Sequence, residues 1–110
     1  MQHQTSNNIT TFLCKANVAN CVKSVNTFMA NEGAAQHIII NLLECAEIKL
    51  AEVLLFVSLS ELHRANRKSF VVVTTEVSLD DVPENFMLVP TLQEALDVIE
   101  MEEIERDLGF

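Results

Sequence analysis

Two short runs limit what this chain can fold into: HIIINLL at residues 37–43 and SFVVVTT at residues 69–75. Both are apolar, rich in β-branched side chains, and do not alternate with polar residues. A strand with one wet face alternates, whereas a strand covered on both faces reads as a continuous apolar run. Residues 38–42 and 70–74 are therefore expected to be internal strands of a sheet with helices on both sides. Parallel strands need a crossover of a dozen or more residues, and the segment between the two runs is long enough to supply one.

The flanking segments alternate in type. ITTFLCK, residues 9–15, has strand composition. NVANCVKSVNTFMANEG follows, with apolar positions at Val18, Val22, Val25, Phe28 and Met29, the three-and-four spacing of an amphipathic helix. Asn17 is a suitable N-cap and Gly33 a suitable stop. From about Leu50 to Asn66 the sequence predicts a long helix, apolar around much of its circumference and so expected to be largely buried. SLDDVPEN reads as a short helix or turn capped by Ser78. FMLVP reads as a short strand ended by Pro90. Thr91 with Glu94 forms a capping-box pattern opening a last helix with apolar Leu92, Ala95, Leu96, Ile99, Ile104 and Leu108 at helical spacing. Seven acids between them should line a solvated face. The order predicts one α/β domain over residues 1–110, with a central, mostly parallel sheet of about four strands and about four helices. The polar MQHQTSNN, residues 1–8, is expected to be disordered or a short edge strand.

Charge and composition narrow the function. The net charge is −9 in 110 residues, unevenly spread. Residues 1–75 hold five acids and six bases, while residues 76–110 hold eleven acids and one base, Arg106. Phosphate backbones and anionic membranes are repelled by such a surface, so neither nucleic acid nor a membrane is an expected partner, whereas a basic protein surface is. No apolar run nears the roughly 20 residues of a membrane span. The amino terminus lacks the features of a secretory signal, which predicts a cytoplasmic protein. Cys14, Cys21 and Cys45 are odd in number and lack CxxC spacing, so they are expected to be unpaired, small buried hydrophobes.

No catalytic residue, cofactor or metal site emerges. The chain lacks GxGxxG and GxxxxGK[ST]. His3, His37 and His63 lie far apart in sequence, and His63 near a helix end suits a cation. In open α/β sheets the ligand corner lies outside the carboxyl ends of strands, near helix N-termini. Here that corner spans residues 44–52, where Lys49 faces the opposing charges of Glu44, Glu47 and Glu52. Ile48, Leu50, Ala51 and Val53 dominate it, a chemistry suited to protein contact or packing.

HIIINLLECAEIKLAEVLLF resembles the central block of STAS domains, the anti-sigma factor antagonists, and VPTLQEALDVIEMEEIERDLGF resembles their ending. The likeness covers residues 9–110. In that family a buried strand ends in Asp-Leu, and Asp-Ser-[Ser/Thr]-Gly-aliphatic opens the long helix. Asn41 and Leu42 take the Asp-Leu place. Lys49 then stands at the second Asp, Leu50 at the first Ser, Ala51 at the phosphorylated Ser/Thr, Glu52 at Gly and Val53 at the aliphatic position. The resemblance implies a STAS-like α/β fold and a bacterial, non-enzymatic role in transcription regulation through protein–protein interaction. It also implies a partner-binding set of Lys49, Leu50, Ala51, Glu52 and Val53.

The departures from the family carry information as well. Ala51 has no hydroxyl, so no phosphorylation switch operates there. Ser58 and Ser60, two turns on in a helix expected to be packed, are poor substitutes. Glu52 replaces a glycine, and its carboxylate is a weak mimic of a fixed phosphate, one charge against nearly two. The family begins with two strands, and only one is evident here before the first helix. The expected partner is an anti-sigma-type regulator or another STAS chain, bound without a switch. The alternatives are a homodimer that exchanges or pairs an edge strand and, more remotely, a nucleotide or other small ligand.

Overall fold

The structure is a computed structural model that describes residues 2–31, 35–45 and 47–109. Its elements are β1 (Gln2–Ser6), β2 (Ile9–Leu13), α1 (Val18–Asn31), β3 (His37–Asn41), α2 (Leu50–Val53), α3 (Val57–Ala65), β4 (Phe70–Val73), β5 (Met87–Val89) and α4 (Leu92–Asp107). A 3-10 turn over Leu54–Phe56 joins α2 to α3, so 50–65 is one helical rod, and a second 3-10 turn covers Leu79–Asp81. The five strands lie in the order β1-β2-β3-β4-β5. β1 pairs antiparallel with β2, and the other three pairings are parallel.

The apolar runs fall where their composition requires. β3 is the middle strand, with His37 through Ile40 buried, and β4 beside it is buried throughout. Successive side chains alternate between two cores. Ile38, Ile40, Phe70 and Val72 face a large core that also holds Phe12, Val18, Val25, Val53 and Phe56, under α1 and the 50–65 rod. Ile39, Val71 and Val73 face a smaller core closed by Ala95 and Ile99 of α4. Helices on both faces are what make unalternating strands stable.

The predicted caps form. Asn17 Oδ1 accepts the Asn20 N–H, and Asn17 itself has a positive φ of 55°, a conformation asparagine tolerates. Ser78 Oγ accepts from the Asp80 N–H, and Thr91 Oγ1 from the Glu94 N–H. Gly33, the expected stop of α1, lies outside the described residues.

The expectations need several corrections. The sheet has five strands, not about four, because QHQTS forms β1 as an antiparallel edge strand. Its polarity left disorder and a short edge strand both open, since an edge strand with wet faces needs no apolar alternation, and the structure takes the second. Among the described residues there are three long helical segments, α1, the 50–65 rod and α4, and the Ser78 segment is the 3-10 turn. Cys14 and Cys21 are joined in a disulfide, against the expectation of three unpaired cysteines. Spacing rules missed it because the β2–α1 turn folds the chain back, bringing the two Cα atoms to 6.2 Å, within bridging range. Cys45 is free and buried.

The long helix and α4 also differ from expectation. Only Val53, Phe56, Leu59, Ser60 and His63 of the 50–65 rod are buried, and Leu50, Leu54, Leu55 and Leu62 are exposed. The tighter 3-10 turn keeps Val53, Phe56 and Leu59 in one row at three-residue spacing, which leaves the leucines between them facing out. In α4, Ala95 and Ile99 enter the core, while Leu92, Leu96, Ile104 and Leu108 are exposed. Two of its seven acids, Glu102 and Glu103, turn inward.

Candidate functional site

The corner at the carboxyl end of β3 is built by a compact loop. The Leu42 N–H donates to the Val73 carbonyl, and the Cys45 N–H returns to the Leu42 carbonyl. Asn41 Oδ1 accepts the Leu43 N–H and stops the strand. Glu47 takes a positive φ of 57°, and Ile48 is then buried as the loop's anchor. Lys49 is extended and precedes the first helical residue.

The five expected contact residues divide in two. Lys49, Leu50 and Ala51 reach solvent. Val53 is 0 % exposed, so it holds the helix to the core and cannot touch a partner. Glu52 is half-buried, and its Oε1 accepts the Lys49 N–H at 3.0 Å. This is the backward half of a capping box, and it gives Glu52 a local structural duty in place of phosphate mimicry.

Residues that sequence reasoning assigned to packing extend the site. Leu54, Leu55 (49 % exposed) and Leu62 (55 % exposed) continue outward from Leu50 and Ala51. They form an apolar stripe about 18 Å long at the helical rise of 1.5 Å per residue. Ser58, expected to be packed, lies exposed within it, and Ser60 is buried. The available signal was the excess of leucines over what one buried helix face can hold.

At the opposite, amino-terminal ends of β3 and β4 lies a polar cluster. His37 Nδ1 accepts the Ser69 N–H at 2.9 Å, so Nε2 carries the proton and donates to Glu103 at 3.1 Å. Glu103 also accepts from Asn8 Nδ2. Ser69 Oγ donates to Glu102 and accepts from both terminal nitrogens of Arg106. Arg64 bonds Glu102 at 3.1 Å and the Phe70 carbonyl at 3.2 Å. Serine, histidine and two carboxylates meet here, but the Ser69 hydroxyl is held by Glu102 and Arg106, not by the imidazole. They do not make a nucleophile–base pair.

Burial sets the protonation of both inner histidines. Desolvation pulls the His37 pKa below its ordinary value, only partly offset by Glu103. Desolvation does the same to His63, whose Nε2–H bonds the Gln36 carbonyl. His63 is thus held neutral inside the core, contrary to the helix-end cation expected. The Asn8 hydrogen bond, followed by that from His37, holds Glu103 below its usual range. Among the described residues, no cluster of three or more His, Cys, Asp or Glu could hold a metal, and no helix is long and apolar enough to cross a membrane.

This architecture occurs in a solved structure. A candidate anti-sigma factor antagonist from Thermotoga maritima superposes with a TM-score of 0.70, over 90 % of this chain and 93 % of that one, at 14 % sequence identity. The fold is that of an anti-sigma factor antagonist. No family model matches the sequence, and no curated protein sequence matches it. At such low identity the likeness shows the fold. The strand that the resemblance lacked is β1, which pairs antiparallel with β2.

Proposed function

We propose that the chain is a non-catalytic docking domain of the antagonist type, and that it holds a protein partner through the start and outer face of the 50–65 rod without a phosphorylation switch. The observation that carries this reading is the exposed row of Leu50, Ala51, Leu54, Leu55 and Leu62. Exposed apolar side chains gathered on one helix face point to an interaction site, here interrupted by the small Ser58, and an amphipathic helix face is a common recognition element. The acids Glu44, Glu47 and Glu61 lie exposed on the loop before the rod and along it, so a partner with an apolar groove and basic rim fits best. Ala51 gives a kinase no hydroxyl, which makes recognition permanent and not toggled. An anti-sigma-type regulator in the cytoplasm meets this description.

The test compares wild type, Ala51→Ser and Leu55→Asp as baits in the native cell extract. Wild type and Ala51→Ser should hold the same protein equally, Leu55→Asp should lose it, and wild type should carry no phosphate. Equal retention by Leu55→Asp, or phosphate on wild-type Ser58, would sink the reading.

A second reading is favoured by the edge of the sheet. β1 pairs only with β2, and its other edge is open to another strand. A homodimer formed there should appear in sedimentation at rising concentration. A strict monomer removes it.

A further inference from the structure

The Cys14–Cys21 bond sits beside the docking corner. Cys14 directly follows β2, and its N–H donates to the carbonyl of Asn41 at 3.0 Å. Asn41 is the last residue of β3 and opens the loop leading to Lys49. Cys21 lies in the first turns of α1, which packs against α2 and the 3-10 turn after it. The bond therefore ties the end of β2, which is hydrogen-bonded to the strand end that starts the docking loop, to the helix that supports the docking rod. Both cysteines form part of the wall of an open cleft of about 530 Å³, with Lys15, Asn17, Asn20 and Ser24 around it.

We propose that Cys14–Cys21 is a redox control on the docking face, opened by a protein dithiol and closed by the corresponding protein disulfide. This deepens the docking reading and rests on it. For a chain read as cytoplasmic, a disulfide is expected to be transient and regulatory rather than permanent. The chemistry balances without any other reagent. Cys14 and Cys21 are both buried, at 1 % and 4 % exposure, so exchange requires the first turn of α1 to open locally, and a thiolate of the dithiol then attacks Cys21 Sγ. The bond to Cys14 breaks, and Cys14 leaves as a thiolate. The second thiol of the reductant then attacks its own mixed-disulfide sulfur and releases Cys21. Two electrons pass to the chain, the two S–H protons of the dithiol end on Cys14 and Cys21, and the reductant becomes a disulfide. Cys45 stays out of the exchange because it has no partner sulfur. In the oxidised state the loop and rod are held; in the reduced state the first turn of α1 loosens, and the partner must order it on binding.

The experiment uses the full chain in oxidised or reduced dithiothreitol, with native-state hydrogen exchange and mass counting of alkylated thiols. Oxidised chain should show one free thiol and reduced chain three. Amides of Cys14 and of residues 42–53 should exchange about tenfold faster after reduction, while those of α4 stay unchanged. A Cys14→Ser/Cys21→Ser variant should match the reduced chain; if it fails to fold, the reduced wild type alone decides. Three free thiols in oxidised dithiothreitol, or equal exchange of residues 42–53 in both states, overturns the proposal. This readout needs no partner, so its failure is separate from failure of the docking reading, which Leu55→Asp tests.

Discussion

Replacing Glu102 with Ala removes the hub of the polar cluster that clamps α4 to the amino ends of β3 and β4. Glu102 accepts from Arg64 at 3.1 Å and from the Ser69 hydroxyl at 2.5 Å, and lies 3.6 Å from Arg106. A hydrogen bond involving a charged group contributes about 1.5–3 kcal/mol net. Removing one partner of a fully buried ion pair costs about 3–5 kcal/mol, since the other charge is stranded. The side chains here are 17–22 % exposed, so water can re-solvate the two arginines in part, and the full figure is not reached. The expected loss is about 2–3 kcal/mol. At an unfolding entropy of about 2.1 cal/mol/K per residue this lowers Tm by about 10 °C. The assay is urea and thermal unfolding beside Glu100→Ala, an acid of the same helix on its exposed side, which should stay within about 0.5 kcal/mol of wild type. A cycle with Ser69→Ala should show clear coupling between the two positions. If Glu102→Ala and Glu100→Ala lose the same stability, the clamp does not exist as described.

Three further outcomes follow from the same geometry. With His37 and His63 both depressed in the folded state, the unfolded chain binds protons first, so stability is full above about pH 6.5 and falls as pH drops towards the folded values. Urea midpoints between pH 5 and 8 should show this, each histidine giving up to about 1.4 kcal/mol per pH unit, and His37→Asn should make the dependence shallower; an unchanged slope refutes it. Phe56→Ala should cost about 3–5 kcal/mol, because Phe56 is fully buried beside Phe70. Leu55→Ala, one residue earlier on the outer face, should cost under about 1 kcal/mol; similar losses at both would mean that the rod's two faces are wrongly assigned.

The sequence announces burial on two sides more clearly than burial on one. HIIIN and FVVV had to be covered above and below, and they became the two central strands. QHQTS left disorder and a short edge strand both open, because a polar edge strand is held by backbone pairing with β2 rather than by its side chains. The rod at 50–65 misled for a related reason. Leucine is equally compatible with a core and with an interface, and composition cannot separate the two when a 3-10 turn resets which residues share a face. In α4 the apolar spacing was real, but Ala95 and Ile99 suffice to close a small core, and Leu92, Leu96, Ile104 and Leu108 were left outside. Glu102 and Glu103 looked like solvated acids because their partners, Arg64, Ser69 and His37, come from elements far away in sequence. The Cys14–Cys21 bond was hidden by the same kind of distance, since the turn at Asn17 makes it and no spacing rule encodes that turn.

The two ends of the sheet divide the work. At the amino ends of β3 and β4, Arg64, Glu102 and Arg106 are largely buried and bonded to one another or to Ser69, so that end contributes rigidity. At the carboxyl end of β3, Ile48 and Val53 bury the supports while Lys49, Leu50, Ala51 and the outer leucines are partly exposed. Exposed leucines are costly to keep in water unless something covers them, whereas a stability role needs none of them. Exposed leucines alone do not single out the rod, since Leu92, Leu96, Ile104 and Leu108 are exposed at α4 as well; the rod is distinguished by lying next to the corner at the carboxyl end of β3. On the docking reading proposed above a partner covers it, and an alanine at 51 is consistent with a surface that is not toggled.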